Sequence, residues 1–206
     1  VTKEEFVKAY PRLYHMATSQ AQPTLDTLGL LSTDAILDLF EMDATEKERL
    51  RSERRPQMTK LTHPKHGVFY LRDQRPMRDA ALEQCLDGMT VREWYLSLNS
   101  RVFMWASRDR VDRLLAARAY RSQDQLVLTI DTASFAEKHF SEIVVSTLNS
   151  GATLYRPLRR GIQTFMPITA FQAGRLSKPI VEVTLVGSVP DFMEFVTSSE
   201  IRKGQA

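Results

Sequence analysis

Leu13-Tyr14-His15-Met16-Ala17, followed by Gly29-Leu30-Leu31-Ser32, is the stretch on which the reading of this chain turns. Ahead of it, Thr2 and Glu5 stand at capping-box spacing before Phe6, Val7 and Tyr10, so a short helix opens there and stops at Pro11. A strand over residues 12–17 follows. Successive side chains of a strand point to opposite faces, which puts His15 on one face and both its neighbours, Tyr14 and Met16, on the other. Beyond the strand, residues 22–28 read as a helix that Gly29 ends.

Working outward, Thr33 caps a helix carrying Ile36, Leu37, Leu39 and Phe40. Asp43 and Glu46 form a second possible capping box, opening a charged run that contains Arg49, Arg51, Arg54 and Arg55. Residues 58–63 and 68–71 are extended and flank the turn Pro64-Lys65-His66-Gly67, a hairpin pattern. Two helices are expected at 77–86 and 91–98, the second capped by Thr90 with Glu93 three residues on, and Gly88 breaks the chain between them. The apolar run 102–106 is rich in β-formers and leads into a helix over 108–120. Residues 126–130, 143–145 and 180–186 complete the strand candidates. Helices and short strands mixed in this way, without repeats, predict a single α+β domain over residues 1–206.

Composition fits a folded enzyme or binding domain. The chain has 206 residues, of which 43% are hydrophobic and 26% charged, far from the disordered regime. A net charge of +3 is mildly basic and favours phosphate-rich partners only weakly. Cys85 is the sole cysteine, which excludes an intrachain disulfide and a cysteine zinc site. No run approaches the ~20 apolar residues of a spanning helix, and Glu4 and Glu5 stand where a signal peptide would be basic, so a cytoplasmic protein without membrane contact is expected. His63 and His66 lack the companions of a zinc signature, so no metal site is expected. A Gly-rich phosphate loop, a Ser-His-Asp order signal and a dinucleotide-binding glycine fingerprint are all missing.

The order of these pieces resembles the DNA-modifying ADP-ribosyltransferase toxins of the DarT kind. The likeness runs through Tyr14-His15, Gly29-Leu30 and the arginine cluster before the extended pair. It continues through Tyr70-Leu71-Arg72, Arg75-Pro76-Met77 and the strand-to-helix unit from Arg101 to Trp105, and ends with Ile180 to Val186 and Val189-Pro190. The chain also resembles an uncharacterised bacterial family marked by Arg72-Asp73-Gln74-Arg75-Pro76-Met77 and Asn149-Ser150-Gly151.

The toxin resemblance implies an ADP-ribosyltransferase-like α+β fold, in which two small antiparallel sheets with flanking helices form an NAD cleft. It also implies an NAD-dependent transfer of ADP-ribose to DNA, RNA or a protein, and a neutralising antitoxin as a further partner. Cleaving the nicotinamide–ribose bond develops positive charge on the sugar, which a carboxylate stabilises. Glu182 is the candidate, set by strand alternation opposite Val181 and Val183, with Glu142 as its rival. On this resemblance His15 holds the NAD ribose and Tyr14 belongs with it. Arg54 and Arg55 lie where the toxins carry a functional arginine. Arg72 and Arg75 are further candidates for the pyrophosphate, because a guanidinium makes paired bonds to phosphate oxygens. Tyr70 and Trp105 offer faces for stacking on nicotinamide or a base. Arg156, Arg159 and Arg160, with Arg175 beyond them, make a basic stretch suited to a nucleic-acid substrate. Two other readings stand beside this one: an inactive domain of the same fold that binds nucleic acid, and an interaction protein in which His15 and Glu182 are structural.

Overall fold

The computed structural model describes residues 1–154, 157–171 and 179–203. The chain opens with α1 (Lys3–Ala9), whose Thr2–Glu5 capping box forms as the spacing predicts, and continues into β1 (Arg12–Thr18). Next come α2 (Gln22–Leu28), β2 (Leu30–Leu31), α3 (Thr33–Leu39) and α4 (Ala44–Ser52). Ser32, not Thr33, caps α3, its hydroxyl accepting from the Ala35 N–H. Asp43 caps α4 through its own carboxylate. The hairpin forms as β3 (Thr59–His63) and β4 (Gly67–Leu71).

The middle of the chain contributes α5 (Asp79–Cys85), β5 (Leu86–Asp87), α6 (Val91–Asn99), β6 (Arg101–Trp105) and α7 (Arg108–Ala116). Helix α7 stops four residues short of the expected end, since Ala117 adopts an extended conformation. Then follow β7 (Gln125–Asp131), α8 (Thr132–His139), β8 (Val144–Ser146), β9 (Arg160–Gly161) and β10 (Met166–Pro167). The last elements are β11 (Glu182–Val186), β12 (Ser188–Val189) and β13 (Val196–Arg202).

The expected pair of small antiparallel sheets does not form. Seven strands join in one antiparallel sheet of order β10-β8-β11-β6-β1-β7-β13, and three two-stranded pairs lie beside it. The reason is the pairing of β1 on both edges, to β7 along its whole length and to β6 at Tyr14–Trp105, which welds what would be two sheets into one. One face carries the main core, in which Leu13, Met104, Leu128, Val183 and Leu185 pack against Phe6, Phe135 and Phe192. The other face is covered by α7, where Met16, Val111 and Val127 are buried, and by α5 and α6, where Met77, Trp94 and Tyr95 are buried. No helix among the described residues is long and apolar enough to cross a membrane.

The β1–β6 contact is unusual. Its register holds a single pair, Tyr14 with Trp105, whereas β6 pairs with β11 over five consecutive positions. Past that rung the two central strands part, and a cavity opens between them.

Gly29 closes the near side of this opening. Its φ of 70° and ψ of −156° lie in a region essentially reserved for glycine, and a Cβ there would sit 2.3 Å from the Val189 carbonyl oxygen. The close approach lets β2 pair with β12 through Leu30 and Val189. Gly29→Ala is therefore expected to destabilise the protein by about 3 kcal/mol from strain and collision together. That corresponds to a fall in melting temperature of about 6–12 °C for a chain of this size. A melt within a degree of wild type would show that the approach is dispensable.

Candidate functional site

The cavity between β1 and β6 has a volume of about 350 Å³. His15, Tyr70, Arg72, Trp105, Ser150 and Glu182 all line it, with Leu25, Leu30, Ile36 and Phe69 as part of its apolar wall. Residues separated by more than 160 positions in the chain thus meet where the strands part.

Glu182 begins β11 and lies in a cross-strand row with Tyr14, Trp105 and Ser146. Its neighbour Val183 faces the main core, so the alternation read from the sequence holds. The carboxylate is only 4% exposed. One oxygen, Oε1, accepts from the Ser150 N–H at 3.0 Å; the other, Oε2, has no hydrogen-bond partner among the described residues. Burial pushes the carboxyl up to about 7, against the opposing pull of the Ser150 hydrogen bonds and the charges of Arg160 and Arg110.

His15 projects from the opposite face of β1, edge-on to Phe192. It reaches the cavity because the strands have separated. Its Nδ1 lies 2.8 Å from the Phe103 carbonyl oxygen. A carbonyl only accepts, so Nδ1 carries the proton and Nε2 is left as an acceptor. Burial lowers the imidazole to about 4; the Phe103 bond opposes this and the Arg72 charge adds to it, so the ring is neutral near pH 7.

The arginines sort into three groups. Arg72 donates from Nη1 to the Met16 carbonyl at 2.9 Å and lies over the Tyr120 ring, while its Nη2 is buried without a partner among the described residues. Arg55 also lines the cavity, but its donors are committed to Leu50 O at 2.6 Å, Asn99 Oδ1 at 3.0 Å and Arg72 O at 3.3 Å. Burial lowers it to about 10. Its donors are thus turned to the protein itself, where the resemblance led us to expect a functional arginine facing a ligand. Arg54 and Arg75 do not line the cavity; Arg54 turns toward the Arg75 carbonyl, and Arg75 is exposed beside Asp73.

Other expectations are corrected in the same way. Tyr14 packs beneath α7 with Met16 and Val111, on the face away from His15 and outside the cavity lining. Arg160 is buried, not a basic surface residue, and donates to the Ser150 carbonyl at 2.9 Å, bracing the turn that serves Glu182. Arg159 is exposed and faces Asp87, while Arg156 and Arg175 lie outside the described residues. The rival Glu142 is an exposed carboxylate paired with His139, away from the cavity. Two contributors stood in the sequence only as marks of resemblance, without a role of their own: Ser150, which acts through its backbone, and Arg101, which opens an apolar strand and lines the cavity. A charged residue in period-two alternation with Phe103 and Trp105 was the available signal for the latter.

The chain belongs to DUF7002, a family of unknown function, which matches it over residues 11–196. No curated protein and no solved structure matches it.

The two shifted groups oppose each other in stability. The raised Glu182 contributes stability that is present below pH 4.5 and lost as pH rises through about 7. The depressed His15 contributes stability that is present above pH 6.5 and lost as pH falls through about 4. Each shift is worth about 3 kcal/mol at 1.36 kcal/mol per pKa unit. Relative to wild type, Glu182→Gln should gain stability as pH rises from 4.5 to 7, and His15→Gln should lose it as pH rises from 4 to 6.5. Denaturant melts across this range test the pair, and parallel curves for all three proteins would refute the burial of both groups.

Proposed function

We propose that the cavity binds NAD and that the chain transfers ADP-ribose from it to a nucleophilic acceptor. The observation that carries this reading is the meeting, in one cavity, of a neutral histidine acceptor, an arginine with an uncommitted N–H and a buried glutamate with an uncommitted oxygen. Such orphaned buried groups are costly unless a ligand completes them. The donor and acceptor set suits a ribose next to a phosphate: His15 Nε2 accepts from a sugar hydroxyl, and Arg72 donates to phosphate oxygens.

The chemistry asked of the site is modest. The bond from ribose C1′ to the nicotinamide nitrogen breaks with its electron pair left on that nitrogen, and a lone pair of the acceptor forms the new bond to C1′. Glu182, when ionised, lies in a poorly solvated setting where its charge stabilises the positive sugar of the transition state more strongly than in water. Its Oε2 then takes the acceptor's proton. Ser150 holds the carboxylate in place through Oε1, and Tyr70 and Trp105 give the cavity flat walls against which a ring can rest. Of the basic stretch Arg156, Arg159 and Arg160, Arg159 is the exposed member among the described residues.

Glu182→Gln preserves volume and the Ser150 contact. It is expected to lower NAD cleavage, read as nicotinamide release, by about 10²–10⁴-fold, the range of a lost acid–base or electrostatic group. Wild-type turnover should rise as pH passes through about 7 and the carboxyl ionises. Undiminished turnover in Glu182→Gln would remove this residue from the reaction. Failure of NAD to raise the melting temperature of wild type at millimolar concentration would remove NAD as the ligand.

A further inference from the structure

We infer that Arg72 and Arg101 together form a two-arginine site for a diphosphate, with Arg101 the residue that selects for it. The inference deepens the NAD reading and rests on it for the identity of the ligand. Arg101 is the first residue of β6, and its guanidinium lies 4.6 Å over the Phe165 ring. Its Nε and Nη1 are buried without a hydrogen-bond partner among the described residues. Burial lowers its pKa, and no carboxylate among the described residues offsets that effect. Two fully buried arginines show what the fold does when an arginine is only a brace: Arg55 and Arg160 spend their donors on carbonyl oxygens. Arg101 has none. Arg101 is half-buried, with Nε and Nη1 withdrawn from solvent and no anion facing them among the described residues, so the position suits an anion brought from outside. Asp73, a carboxylate that also lines the cavity, accepts through Oδ1 from the Tyr120 hydroxyl at 3.0 Å and the Arg75 N–H at 3.1 Å.

Strand register orders the subsites. Glu182 pairs with Trp105, His15 bonds Phe103, and Arg72 bonds Met16 beside it. Arg101 lies two residues beyond Phe103, roughly 7 Å at the rise of a strand, and roughly 13 Å beyond the Glu182 rung. Both uncommitted guanidiniums therefore stand on the side of His15 away from Glu182. A ribose at His15 with its C1′ toward Glu182 sends its 5′ substituent along that direction. Two planar forks at separate points along the cleft suit two linked phosphates, where a single phosphate needs one.

The test measures ADP and NAD binding to the full chain by calorimetry, in wild type, R101Q and R101K. Expected are about 10–100-fold weaker binding of both ligands to R101Q, the range for hydrogen bonds to charged groups, and a 3–10-fold loss in R101K, which keeps the charge but not the fork. Unliganded R101Q should melt at or above the wild-type temperature, because an uncompensated charge has gone. Unchanged affinity in both variants overturns the inference while leaving NAD binding intact; if R101Q does not fold, unchanged affinity in R101K alone does so. A destabilised R101Q with wild-type affinity makes Arg101 a prop for Phe165 and overturns it as well. ADP binding that is lost in R101Q, with no binding of NAD, upholds the diphosphate site and sinks the nicotinamide reading. No binding of ADP to wild type at millimolar concentration overturns the site.

Discussion

The parting of β1 from β6 after one rung is the constraint on which the rest of the site depends. A backbone edge opened inside a protein leaves N–H and C=O groups that must find other partners. Two side chains take that duty here: His15 Nδ1 satisfies the Phe103 carbonyl, and Arg72 Nη1 satisfies the Met16 carbonyl. The gap cannot close by sliding, because β1 is bonded along its other edge to β7 at seven positions and β6 to β11 at five. Arg72 is itself fixed, since its own carbonyl accepts from Arg55, which is tied in turn to Leu50 and Asn99. The same bonds that keep the cleft open thereby set the orientation and tautomer of the groups that line it.

Polar groups around the cavity divide by whether the chain satisfies them. Arg55, Arg160 and Asn99 are buried and bonded, and they hold the 72–74 segment and the 149–151 turn against the sheet. Glu182 Oε2, Arg72 Nη2 and two nitrogens of Arg101 are buried and unbonded among the described residues. An unmade buried hydrogen bond costs about 1–3 kcal/mol, more for a charged group. Six further buried polar atoms away from the cavity, on Asp34, Arg51, Arg54, Trp94, Gln125 and Thr132, are also unbonded among the described residues, so what sets Glu182, Arg72 and Arg101 apart is that all three line one cavity that a ligand can enter.

Much of the fold was legible because it rests on local rules. The Thr2–Glu5 and Thr90–Glu93 boxes, the stop at Gly29 and the hairpin around Gly67 each follow from short-range chemistry. Strand alternation also placed Glu182 opposite Val183 correctly. What failed was non-local. Whether the strands make two sheets or one depends on the single Tyr14–Trp105 rung, which no period in the sequence reveals. The arginines misled for a related reason: Arg55 and Arg160 look like exposed basic residues until tertiary packing surrounds them with carbonyl oxygens, while Arg101 hides in an apolar strand. His15 was read correctly as separate from Tyr14, yet the face it shares with the main core would have carried it away from Glu182 had the sheet stayed closed.

Glu182 and Glu142 differ in burial, and on the proposed reading burial rather than the mere presence of a carboxylate marks the reacting end of the cavity. Glu142 has a side chain 58% exposed and a histidine beside it, so water screens its charge and its partner is already supplied. Glu182 lies beside Trp105 and the Ser150 turn, within the field of Arg110 on α7, and its Oε2 has no hydrogen-bond partner among the described residues. Its ionised form is destabilised until positive charge develops nearby, and that is the condition under which a carboxylate favours a transition state over the ground state. A cationic ligand group would relieve the same cost that burial imposes. On the proposed reading, ligand binding, the ionisation of Glu182 and the stability of the fold form one linked equilibrium.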